Sequence, residues 1–179
     1  MKGVIFNLLE TMVEEKFGIE AWDALLQQTG SDGVFVSTAV YSDEQLTSLV
    51  VAASEKLDVP VNDLIRLFGE YIFPHFKTKN PSLIPDGMTL KEFLLTVDRV
   101  VHVEVRKLHP DANLPSFEYV DENDDELTMI YSSPRKMCML AEGLISGAAK
   151  HFGTSYTLTH DKCMHNGEDT CELHLKIAA

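Results

Sequence analysis

Through the first two thirds of the chain, apolar residues recur at spacings of three and four, the period of helices with one buried face. Ile5, Leu8, Leu9, Met12 and Val13 form the first such stripe, which ends near Phe17-Gly18. A second short helix is predicted over residues 20–26, followed by a loop at Gly30-Ser31-Asp32-Gly33. Ser42 and Gln45 have capping-box spacing and open a helix to about Leu57. Pro60 stops that element, and Asn62 can cap the next, which carries Leu64, Leu67, Phe68 and Tyr71. Pro74, Pro81 and Pro85 make residues 74–86 an expected loop. Thr89 and Glu92 form a second capping box before a long helix to Leu108. Its stripe runs through Leu90, Phe93, Leu94, Val97, Val101, Val105 and Leu108.

The period changes at His109-Pro110. Strand-like runs at 117–120 and 127–131 flank the acidic turn 121–125. A helix is predicted over 136–151, with Gly143 and Gly147 allowing close packing, and a second hairpin over 154–177 turns around Asn166-Gly167. This order predicts an α+β fold, with an N-terminal helical part and C-terminal helices packed on an antiparallel sheet. One domain is expected, its helical part at about 1–60 and its α+β part at about 61–179.

Charge narrows the partners. The 179 residues hold 15 Lys+Arg against 28 Asp+Glu, a formal net charge of −13, and no basic run exceeds two residues. Binding driven by charge to nucleic acid or to an anionic membrane is not expected. No apolar run approaches the roughly 20 residues of a membrane span. Three cysteines, Cys138, Cys163 and Cys171, do not make a secreted disulfide framework, so a cytoplasmic protein with reduced thiols is expected.

Glycine-rich phosphate loops, nucleophile elbows and paired Cys-x-x-Cys motifs are all missing from the sequence. Three features carry other chemistry, the last of them a cysteine and histidine set. His102 lies beside the apolar stripe of the long helix. Burial there would keep the imidazole neutral and fix its direction, which suits a metal ligand, although a core histidine bonded to a carbonyl has the same pattern. In Tyr131-Ser132-Ser133-Pro134-Arg135, an extended chain would point Tyr131, Ser133 and Arg135 to one side. Two hydroxyls and a guanidinium fork suit carboxylates, while a strand end facing solvent is the plainer alternative.

Taken together, these residues resemble the haem-nitric oxide/oxygen binding (H-NOX) family, which is related to the sensor region of soluble guanylate cyclase. Tyr131, Ser133 and Arg135 match its Tyr-x-Ser-x-Arg signature, and His102 matches its proximal histidine about thirty residues earlier. Pro115 matches a proline that distorts the haem, and Ile5 an apolar residue packed on the porphyrin. The resemblance implies haem b between the helical and sheet parts, His102 on the iron, and the signature on the propionates. It implies a non-enzymatic sensor that binds nitric oxide, and carbon monoxide as well, and regulates a separate histidine kinase or a diguanylate cyclase or phosphodiesterase. Oxygen-binding members place a tyrosine five residues beyond the signature arginine. Leu140 stands there, so stable oxygen binding is not expected.

His160, Cys163 and Cys171 span the last hairpin, and Cys138 begins the preceding helix. One histidine and three thiolates make a tetrahedral zinc set. Idle buried thiols are the alternative, and His165 is a competing ligand. A zinc- or thiol-based, redox-responsive interaction module is therefore the second functional expectation.

Overall fold

The computed structural model describes residues 1–108 and 110–178, without the side chains of Leu108 and Glu122. His109, where the break is expected, thus lies outside the described residues, as does the side chain of the stripe's last member, Leu108. The helices α1 (Gly3–Phe17), α2 (Ile19–Thr29) and α3 (Asp43–Leu57) come first. Gly18 at φ 86° and Gly30 at φ 68° end the first two, in backbone conformations that side-chain-bearing residues avoid. Both bonds of the Ser42–Gln45 capping box are formed at the start of α3.

Next comes α4 (Val61–Lys79), capped from Pro60 rather than Asn62, and it runs straight through Pro74. The loop expected from Pro74 onward starts only after Lys79. Proline removes one hydrogen bond, and here packing outweighs that loss. Phe73 is buried edge-on against Phe93 with ring centroids 5.6 Å apart, and Thr78 Oγ1 donates back to the carbonyl of Pro74.

The long helix predicted to reach Leu108 is built in three segments. It is opened by the Thr89–Glu92 capping box and comprises α5 (Leu90–Thr96), a π-helical turn (Val97–Val101) and α6 (His102–Leu108). The backbone N–H of His102 donates five residues back to the carbonyl of Val97.

A four-stranded antiparallel sheet in the order β1-β2-β4-β3 follows. Its strands are β1 (Ser116–Asn123), β2 (Glu126–Ser132), β3 (Tyr156–Lys162) and β4 (Cys171–Ile177), with α7 (Cys138–Phe152) between the two hairpins. The alternation of β2 puts Leu127, Met129 and Tyr131 inward, and β4 adds Cys171, Leu173 and Leu175 to the same core. Two apolar clusters result, one between the sheet, α5 and α7, the other among α1 to α4. Helix α4 belongs to both, with Leu64, Phe68 and Ile72 in the second and Phe73 in the first. Glycine lets α4 and α7 approach closely: a Cβ on Gly143 would lie 2.0 Å from the carbonyl oxygen of Arg66. Among the described residues, no helix is long and apolar enough to cross a membrane.

Candidate functional site

His102 is the first residue after the π-helical turn, and such turns often mark functional positions in helices. Its side chain is buried, and burial pushes its pKa below the ordinary histidine value of 6.5 despite the neighbouring Asp98 carboxylate. The imidazole is therefore neutral near pH 7. Nδ1 lies 3.4 Å from Asp98 Oδ1, and the carbonyl of Pro115 lies near the ring. Asp98 in turn accepts the backbone N–H of Phe117 at 3.3 Å, which ties the turn to β1.

Phe117 connects His102 with the signature. Its ring lies 5.9 Å from that of His102 and 5.5 Å, edge-on, from that of Tyr131, its partner in the β1–β2 register. The Tyr131 and Ser133 side chains lie close together, whereas Arg135 joins them through its backbone N–H and not along an extended strand. Strand β2 ends at Ser132, and a turn closed by the N–H of Lys136 on the carbonyl of Ser133 carries the rest. Proline at position 134 disfavours further ladder pairing, and the Ser133 hydroxyl accepts the N–H of Arg135 at 3.3 Å. Tyr131 is buried near the Ser133 hydroxyl, and its own hydroxyl accepts the N–H of Met137 at 2.9 Å.

Arg135 reaches further than the signature alone suggests. Nη1 donates to the carbonyl of Asn113 at 3.0 Å, Nη2 meets Met1 Sδ at 3.0 Å, and Nε lies 2.9 Å from Asp43 Oδ2. That last approach is an ion pair without hydrogen-bond alignment, so Nε remains a buried donor lacking an aligned acceptor. A guanidinium with a buried nitrogen lacking an aligned acceptor, carried on the turn that follows two buried hydroxyl residues, fits a carboxylate-bearing ligand such as haem. Ile5 and Leu140 are both partly buried and pack on the N-terminal cluster, alongside Leu8.

The second constellation also assembles. One ligand atom from each of Cys138, His160, Cys163 and Cys171 lies within 4.8 Å of all the others. Cys163 Sγ is 3.9 Å from both Cys138 Sγ and Cys171 Sγ. That separation is close to the roughly 3.8 Å implied by a tetrahedron of 2.3 Å zinc–sulfur bonds. Burial and the crowding of neighbouring thiols push the Cys138 thiol well above its ordinary range, and burial raises Cys171. A metal bound there would have to displace the protons of Cys138 and Cys171, whose thiolates burial disfavours. His160 Nε2 is buried with no hydrogen-bond partner. The β3–β4 register shifts between His160 and Lys162, a bulge that redirects the chain before Cys163. His165 does not join the group, because its Nε2 is engaged with the carbonyl of Lys136 at 2.7 Å.

Several residues of these sites carry no motif of their own. Asp98 could have been found as the residue one helical turn before His102, and Glu142, bonded to His160, as the residue one turn after Cys138. Asp43 and Asn113 have no such signal, because only tertiary packing brings them to Arg135.

Helices around a four-stranded antiparallel sheet, with a buried histidine linked through Phe117 to the Tyr-Ser-Arg segment, make the H-NOX fold. The chain belongs to the Haem-NO-binding family, which it matches over residues 2–160. It is similar to an H-NOX protein from S. oneidensis in the Fe(II)NO state, with 33% identity, 100% of both chains covered and a TM-score of 0.93. An H-NOX domain from Shewanella oneidensis in the Fe(II)CO state is 34% identical, with 99% of each chain covered and a TM-score of 0.89. Soluble guanylate cyclase 89Db of Drosophila melanogaster is 22% identical over 156 residues, which is 85% of this chain and 23% of that protein. This chain thus spans about a quarter of the length of that curated relative.

Proposed function

We propose that this chain is a haem-based sensor of nitric oxide, with His102 as the iron ligand and Tyr131, Ser133 and Arg135 as the propionate clamp. The observation that carries this reading is Phe117, whose ring packs against both the buried His102 imidazole and the ring of Tyr131. Haem, when bound, supplies a ferrous iron that takes a diatomic gas. His102 keeps an unprotonated nitrogen for the metal because burial disfavours its cation, and Asp98 orients the ring. Ser133 and Tyr131 offer hydroxyls from a fixed turn, and Arg135 offers the buried charge. Ile5, Leu8 and Leu140 supply an apolar wall with no hydrogen-bond donor, which favours nitric oxide and carbon monoxide over oxygen.

The sensor is a single unit, with a helical part at about 1–60 and a haem-holding part at about 61–179. It works in the cytoplasm and hands its state to a separate histidine kinase or cyclic-dinucleotide enzyme, without chemistry of its own. Absorption spectroscopy of the purified protein tests this. A Soret band is expected, lost in His102→Gly and restored by added imidazole. Colourless protein after expression with ample haem precursor contradicts the proposal.

A zinc site at Cys138, His160, Cys163 and Cys171 stands beside the haem site. It is favoured by the tight cluster of ligand atoms and by the unpartnered Nε2 of His160. Zinc closes the β3–β4 hairpin onto α7, and oxidation of the thiols would release it, giving a second input. Protein prepared without chelator is expected to contain stoichiometric zinc; metal-free protein whose Cys138→Ala, Cys171→Ala variant melts unchanged excludes the site.

A further inference from the structure

The proposed zinc set leaves one buried carboxyl group beside it without a role. Glu142 is nearly buried on α7, one helical turn after Cys138. A carboxylate in that position needs partners for both oxygens. Oε1 lies 2.6 Å from His160 Nδ1, and Oε2 accepts from Arg66 Nε on α4 at 2.5 Å. The other nitrogen of the same imidazole, Nε2, is the buried atom without a partner, and His160 is the one imidazole in the thiol cluster. In a neutral imidazole, a proton held at one nitrogen leaves the lone pair on the other.

We propose that Glu142 is the positioning residue of the metal site. It holds the His160 proton on Nδ1, so that the Nε2 lone pair points among the three sulfurs, and Arg66 pins the carboxylate from α4. The proposal rests on the zinc reading above and adds a carboxylate–histidine–metal arrangement to it. Arg66 is itself fixed, with Nη1 on Asp63 at 2.8 Å and Nη2 on Met139 Sδ at 2.9 Å. Its backbone carbonyl also faces Gly143, where the two helices approach most closely. The metal site is therefore braced by α4, which packs in both apolar clusters, and not by α7 and the hairpin alone.

The test compares wild type, Glu142→Gln, Glu142→Ala and Arg66→Ala, all from zinc-supplemented culture. Zinc content and the dissociation constant are measured by competition with a chromophoric chelator, and the His160 tautomer by 15N NMR. Wild type should hold stoichiometric zinc with His160 as the Nδ1–H tautomer. Glu142→Ala should bind zinc about 10–100-fold more weakly. Glu142→Gln, whose amide oxygen still accepts a hydrogen bond, should fall between them, and Arg66→Ala should show a smaller loss. The same two side-chain variants at position 142 should lose the fixed tautomer in metal-free protein in the same order. Wild-type affinity in both Glu142 variants overturns the positioning role and leaves the zinc site standing. Absence of zinc from wild type overturns both. An Nε2–H tautomer in zinc-loaded wild type overturns the proposal even if the variants fail to fold.

Discussion

Arg135 is where three parts of the chain meet: the carbonyl of Asn113 before β1, Met1 at the start, and Asp43 at the first turn of α3. Its Nε has no aligned acceptor, so a carboxylate placed there gains a charge-assisted bond worth about 1.5–3 kcal/mol. Arg135→Ala should therefore release haem about tenfold or more readily, measured as haem transfer to an apo-globin acceptor. Unchanged transfer would remove Arg135 from the clamp. Leu140 makes the complementary point about what a residue withholds. It is partly buried in the N-terminal cluster and carries no donor. Leu140→Tyr adds a hydroxyl, and a ferrous sample of that variant opened to air should develop a stable new visible spectrum. The wild-type sample should keep its spectrum or oxidise slowly.

Among the elements, α4 and α7 show how far the chain could be read in advance. Both capping boxes are local signals, and both are formed where Ser42–Gln45 and Thr89–Glu92 predict them. The sheet was legible from alternation, as the inward set Leu127, Met129 and Tyr131 shows. Pro74 was misleading because a local breaking signal lost to the packing of Phe73 on Phe93. The π-helical turn before His102 has no sequence signature, since only the bond from the His102 amide to the Val97 carbonyl defines it. The cysteine cluster was visible as ligand types, whereas the bond from Arg66 to Glu142 depends on how α4 lies against α7. That contact yields two expectations. Gly143→Ala would force a Cβ to 2.0 Å from the Arg66 carbonyl, so it should destabilise the fold by about 1–3 kcal/mol or more, read by urea denaturation. Glu70 of α4 accepts from Lys150 and Ser146 of α7. Burial opposes its ionisation, yet these donors hold its pKa below the ordinary 4.5. Its stabilising share is complete above pH 4.5 and is lost as pH falls through the lower folded-state value. The acid limb of the stability curve should thus be shallower in Glu70→Gln than in wild type.

At the scale of the whole molecule, the two apolar clusters meet along α4, and the proposed clamp spans their boundary through Arg135, Asp43 and Met1. A change on the His102 side therefore has a path to the N-terminal helices: Asp98 holds β1, β1 pairs with β2, and the turn after β2 carries Arg135. All of this depends on a haem held through His102 that responds to nitric oxide. Titrating nitric oxide into the anaerobic ferrous protein, followed by visible absorption, tests that dependence most directly. The expected result is saturation at one equivalent per haem with a shifted Soret band, and no such response in His102→Gly until imidazole rebuilds the axial ligand. A nitric oxide response in His102→Gly identical to that of wild type, without imidazole, would contradict the account.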